Sequence, residues 1–214
     1  SDFSMCMAGF GTRDEELELV LRTFDACLEA GVMPRLDLLD VTRSDIAAVA
    51  LPTIERCLEH LSARSAGSLR VRLCDTLGVG LPWTEAPGPR SIPRLIHIVR
   101  YSLGLEPAQL EFSGANDLGL VLANSIAGMI HGCGRIATTI GGVAERAGTA
   151  ATELCLVHLS GLFGSACDLT AVPALHELLG PLGFRPDARY PLWGEQALTT
   201  GSVHTCAPAD AGRE

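Results

Sequence analysis

Leu110 to Cys133 reads LEFSGANDLGLVLANSIAGMIHGC, a buried strand that ends in small residues and runs into a helix. Barrel enzymes keep metal ligands or catalytic bases at such strand ends. Ser113 and Ala115 stand there two residues apart, on one face of the strand, directly before Asn116 and Asp117. An alanine methyl cannot bind a cation, and a serine hydroxyl does so poorly. Three further pairs could do chemistry: Thr42-Arg43, Asp75-Thr76 and Glu145-Arg146. Arginine forks onto carboxylates, so Thr42 and Arg43 could hold an anion; the alternative is a capping Thr42 beside a solvated Arg43. Glu145-Arg146 reads as a buried ion pair that shapes its loop, because such pairs cost much to break. Asp117, beside Asn116, reads as a helix N-cap.

These residues need a scaffold of alternating strands and helices. The strand DFSMCM (2–7) is followed by a helix that opens at a Thr12 cap, carries acids in its first turn and ends at Gly31. The strand PRLDLLD (34–40) precedes a helix over 44–64, and SLRVRLCDT (68–76), the clearest strand, precedes a helix over 92–104. The strand and helix of 110–133 come next, then the strand RIATTI (135–140) and a helix over 149–164. Five βα units in a row build a parallel sheet, open or part of a (β/α) barrel. A further helix over 168–183 leads into a Pro- and Gly-rich end, so the division is a βα body over 1–182 and an irregular appendage over 183–214. Gly132-Cys133-Gly134 closes a helix and precedes a strand, the reverse of a dinucleotide fingerprint, and reads as a helix C-cap.

Composition narrows the chemistry. The 214 residues are 47% hydrophobic but only 5% aromatic, which suits a core of Leu, Val, Ala and Ile in α/β layers. The net charge of -9 argues against a grip on nucleic acid, which needs clustered cations. All 16 basic residues are arginine, so Schiff-base catalysis, a phosphate-loop lysine and a lysine base are excluded. The eight cysteines form no C-x-x-C pair and read as inert thiols in a reducing compartment. There is no signal peptide, and the apolar run Leu118–Ile130 is too short to span a bilayer, so the expectation is a soluble, cytoplasmic protein without a membrane partner.

Several strand ends together carry a resemblance. LLDVTRSD, RLCDTLGVGLP, LEFSGANDLGLVLANS and GGVAERAGTAATE are similar, in this order, to the second half of the metal-dependent Claisen-condensing barrels. These include Re-face citrate, homocitrate and isopropylmalate synthases, with hydroxymethylglutaryl-CoA lyase a more distant relative. PLWGEQALTTGSVH resembles the synthases' connecting subdomain. The resemblance implies a partial (β/α)8 TIM barrel, about strands four to eight, plus a small C-terminal appendage. The first-strand Asp-Arg-Glu motif has no counterpart, and a five-stranded piece cannot close a barrel. Association follows as an expectation, as a homo- or hetero-oligomer with a chain that supplies the front half.

The family's metal is held by a histidine-x-histidine pair, and that pair falls on Ser113 and Ala115; a further ligand, an asparagine, falls on Thr149. Leu39 stands where the family often has an acid, and Ser4 where it has a histidine. The resemblance therefore implies no metal and no cofactor on this chain, with acyl-CoA as a possible co-substrate. It implies a small carboxylate ligand at Asp75, Thr76, Thr42, Arg43 and Asn116, with Thr76 on the carboxylate. Glu145 and His204 are the candidate acid/base residues. Two functions remain: a degenerate subunit of an acyl-CoA condensing enzyme, and a non-catalytic pseudo-enzyme that regulates an active synthase or binds a carboxylate.

Overall fold

The computed structural model describes residues 11–64, 67, 69–164, 168–183 and 187–199. The chain divides into two compact units, Ser1–His158 and Leu159–Glu214. The expected strand 2–7, with Ser4, lies outside the described residues, as does His204.

Helix α1 (Arg13–Glu29) begins where Thr12 and Glu15 cap each other's backbone, a reciprocal box that satisfies two N–H groups without helical partners. Strand β1 (Arg35–Leu38) is shorter than the 34–40 expected, because Asp40 turns into the left-handed region at φ 59 and opens a 3-10 turn, Val41–Arg43. A π turn, Ile46–Ala50, then feeds α2 (Leu51–Ala63). Pro52 in the first turn of α2 has no N–H for a tight ladder to use, and the wide turn ends just before it. Strand β2 (Arg70–Asp75), helix α3 (Ile92–Ser102), strand β3 (Leu110–Gly114) and helix α4 (Val121–Ile130) follow as expected. Gly132, at φ 118, closes α4 as the C-cap reading required. Strand β4 is only Arg135–Ile136, not 135–140. Beyond it Thr139 bridges to Ala151 and a 3-10 turn, Ile140–Gly142, takes the chain off the ladder. Helix α5 (Thr152–Phe163) and the shorter α6 (Val172–Leu179) complete the helices.

The four described strands form one parallel sheet in the order β1-β2-β3-β4. Alternation sends Leu36, Val71, Leu73, Leu110 and Phe112 to one face, where they form a core with Ile54, Leu61, Leu95, Ile96 and Val99 of the helices. The helices cover that face and leave the opposite one polar. Among the described residues no helix is long and apolar enough to cross a membrane.

Candidate functional site

The polar face alternates out of register with the core. Arg35 and Asp37 of β1, Arg72 of β2 and Glu111 of β3 share it, and adjacent register brings them together. Arg35 Nε lies 2.6 Å from Asp37 Oδ1 and Arg72 Nη2 2.6 Å from Glu111 Oε1; Arg72 also reaches Asp37 at 3.3 Å and Arg35 reaches Glu111 at 3.4 Å. Two guanidinium groups and two carboxylates thus neutralise one another. This quartet had a signal in the sequence: charge alternates with Leu or Val in RLDL and RVRL.

Toward the C-terminal ends of the strands the same face opens into a cleft of about 350 Å³. Asp75, Thr76, Ser113, Ala115, Glu145 and Thr149 all line it. The structure thus brings these six, from the ends of three neighbouring strands, to one cleft. Arg43, Thr42 and Asn116 are not among its lining residues.

Asp75 is buried where β2 ends. Its Oδ1 accepts from the Thr42 hydroxyl at 2.6 Å and from Val79 N at 3.1 Å, and its Oδ2 accepts from Gly80 N at 2.9 Å. Burial pushes its carboxyl above the ordinary value, while these three donors pull the other way. Thr42 is therefore the donor that ties the β1 exit to the β2 exit. Arg43 is exposed and forks onto Asp40, at 2.8 and 2.6 Å, which raises its own pKa. The Thr76 hydroxyl oxygen accepts from Asp40 N at 2.8 Å, which leaves its hydrogen free of that contact.

Ser113 is half-buried in the cleft wall, opposite Cys74 in the β2–β3 register. Burial pushes the Cys74 thiol up to about 12, so it stays protonated at neutral pH. The Ala115 amide donates to the Asp75 carbonyl at 3.0 Å. The Thr149 hydroxyl donates to the Gly114 carbonyl at 2.7 Å, and Ala115 and Thr149 form an antiparallel bridge. Asn116 meets the same loop through its backbone, donating to the Gly148 carbonyl at 2.8 Å. Leu39 is 56% exposed at the cleft edge.

Two expectations need correction. Glu145 and Arg146 do pair, at 2.8 Å, but Glu145 is 77% exposed, because the loop stands at the surface of the sheet's end. Asp117 is not an N-cap: α4 starts four residues later, after Leu120. Its carboxylate instead accepts a fork from Arg146, at 2.8 and 3.1 Å, which holds the Asp117 pKa below the ordinary range. This contact spans 29 residues, and nothing in local spacing announced it.

The sequence matches the HMGL-like family over residues 5–178. The chain belongs to that family. It is 38% identical over 206 residues to a 2-phosphinomethylmalate synthase from Streptomyces hygroscopicus, covering 92% of this chain and 45% of the relative. A citrate (Re)-synthase from Syntrophus aciditrophicus is 29% identical over 209 residues, covering 95% of this chain and 33% of that protein. This HMGL-like chain thus spans less than half the length of these relatives. Among solved structures, hydroxymethylglutaryl-CoA lyase from Pseudomonas aeruginosa superposes with a TM-score of 0.66 at 19% identity, over 99% of this chain and 65% of that one. The likeness establishes an HMGL-like α/β fold of the TIM-barrel type around the four-stranded parallel sheet.

Proposed function

We propose that this chain supplies the C-terminal strands, about four to eight, and a small appendage of a (β/α)8 barrel that condenses an acyl-CoA with an oxo acid. It does so as a degenerate subunit, completed by front strands on a partner chain or on a longer form of this one. The observation that carries this reading is the two-faced sheet. One face is packed dry under helices, while the other holds the Arg35, Asp37, Arg72 and Glu111 quartet and opens into the polar cleft. A face of half-buried ion pairs suits the interior of a closed barrel, where further strands would screen it from water. The synthases among the relatives support the reaction class.

The cleft's own donors do not suit a divalent cation. Ser113 and Thr149 offer neutral hydroxyls, the Ala115 side chain offers nothing, both Asp75 oxygens are engaged, and the Asp37 and Glu145 carboxylates on the cleft wall are paired with arginines. Among the described residues no cluster of three His, Cys, Asp or Glu could hold a metal. In this reading Thr76 and Ser113 give hydrogen bonds to an oxo-acid carboxylate, Glu145 stands at the rim as an exposed carboxylate, and His204 is the candidate acid from the appendage.

The experiment is metal analysis of the purified chain with any co-purifying partner, followed by thiol release from acetyl-CoA over a panel of oxo acids. The panel includes one with a phosphinate, because a relative is named for 2-phosphinomethylmalate. The expected result is substoichiometric metal on this chain and thiol release only with the partner present. Stoichiometric zinc or magnesium on this chain alone, with turnover that a chelator abolishes, would overturn it. The loss of the family's ligand side chains at Ser113, Ala115 and Thr149, with the cleft kept, favours a second reading, a non-catalytic subunit that regulates a synthase or binds a carboxylate. Oxo-acid binding without thiol release in the complete assembly distinguishes it.

A further inference from the structure

Arg146 is one of three non-glycine residues at positive φ among those described, at 51°. That conformation is disfavoured for a residue with a Cβ, so it persists only where surrounding contacts impose it. Four of the five guanidinium N–H donors are used: Nε and Nη2 fork onto Asp117, Nη2 also gives to the Thr76 carbonyl at 2.6 Å, and Nη1 gives to Glu145. Asp117 follows β3, Thr76 follows β2, and Arg146 lies beyond β4. One side chain therefore joins the exits of three neighbouring strands.

The ends of the segment are tied independently, Gly141 N to the buried Glu153 carboxylate, the Gly148 carbonyl to Asn116 N and the Thr149 hydroxyl to the Gly114 carbonyl, so Arg146 acts on the stretch between them. Gly142 and Gly148 both lie at positive φ, and a Cβ at Gly148 would collide with the Gly142 carbonyl, so the backbone folds closely onto itself. Gly148 N donates to the Glu145 carbonyl and Thr149 N to the Gly142 carbonyl, each at 2.9 Å. Between Gly141 and Gly148 the described side chains are exposed or half-buried, so the segment has no apolar core of its own to hold it. An isolated surface ion pair contributes little, but a forked pair with an added carbonyl is the geometry that does hold a loop.

We propose that Arg146 is a positioning residue of the cleft: its fork onto Asp117 and its bond to Thr76 hold residues 143–147 against the β2 and β3 exits, which keeps Glu145 on the rim and reinforces the bonds that hold Gly148 and Thr149. The latch stands on geometry alone; its effect on an oxo acid rests on the function proposed above.

The test is amide hydrogen exchange on the full chain for wild type, R146K, R146Q, D117N and the R146Q/D117N double variant. R146Q and D117N are each expected to speed exchange at Gly148 and Thr149 by about tenfold, with α3 unchanged. R146K falls between, because a lysine keeps the charge but cannot fork and reach the carbonyl together. The double variant is no faster than either single one, since both remove the same contact. Unchanged exchange in 141–149, or a uniform rise that includes α3, would overturn the latch. Should R146Q fail to fold, D117N and R146K carry the same comparison. Oxaloacetate is the ligand probe: protection of these amides in wild type that is lost in R146Q supports positioning, and equal protection in both overturns it. Faster exchange in R146Q with no protection of either protein leaves the latch standing and removes the oxo-acid reading.

Discussion

Asp75→Ala lowers the free energy of unfolding by about 3–5 kcal/mol, the size expected when one partner of a buried polar network is removed. The carboxylate is the shared acceptor for the Thr42 hydroxyl and the Val79 and Gly80 amides. Without it, the three donors around Asp75 lose their acceptor, and each such orphan costs about 1–3 kcal/mol. Urea denaturation at neutral pH measures the loss, and a change below about 1 kcal/mol would show that water replaces the carboxylate. Asp75 and Asp117 also pull in opposite directions with pH. Asp75 has a folded pKa raised above 3.8 by burial, so the native state binds its proton more readily, and its contribution falls as pH rises from 3.8 through the raised value. Asp117 has a folded pKa lowered by Arg146, so its contribution is present above 3.8 and is lost as pH falls through the lowered value. Stability measured against pH is expected to lose its acid-side decline partly in Asp117→Asn and to gain in relative alkaline stability in Asp75→Asn. Identical profiles for the two variants would contradict both assignments.

Phe112→Ala has a comparable effect, about 3–5 kcal/mol, through a different mechanism. Phe112 is fully buried on β3 and lies where a Cβ at Gly128 would approach it to 3.3 Å. A methyl on α4 there would lie 3.3 Å from the Phe112 Cβ and 3.5 Å from its Cγ, so it fits only where strand and helix give by a few tenths of an ångström. Truncation opens a cavity between strand and helix, and Gly128→Ala in that background fills part of it and restores helix propensity worth about 1 kcal/mol. The contact with the Phe112 Cβ persists in both backgrounds and only the ring is removed, so Gly128→Ala is expected to be better tolerated in Phe112→Ala than in wild type. Thermal unfolding of the four proteins checks the sign. The effect reaches the cleft as well, because Ser113 and Gly114 are the next two residues of the same strand.

Hydrophobic alternation and turn chemistry were enough to read most of this fold. SLRVRLCDT, the Leu110 strand and the helices over 92–104 and 121–130 lie where their apolar periods put them, because burial of one face is a local pattern that survives in any parallel sheet. The position of the site was legible for the same reason: the ends of β2 and β3 and the loop after β4 are adjacent whenever those strands are. Strand ends were less legible. RIATTI has the composition of a strand, yet only Arg135 and Ile136 pair in full with β3; Ala137 N still donates to the Phe112 carbonyl before the 3-10 turn at Ile140–Gly142 takes the chain away.

What the residue types determined alone is the chemistry available: no lysine amine anywhere, and no imidazole at Ser113, Ala115 or Thr149. The tertiary structure decided which of the remaining polar groups face one another. Arg43 is taken by Asp40, Thr42 by Asp75, and Arg146 reaches 29 residues back to Asp117. A guanidinium or a hydroxyl bonds whatever acceptor the folded backbone brings within about 3 Å, and that distance is a property of the packed strands, which no spacing along the chain encodes.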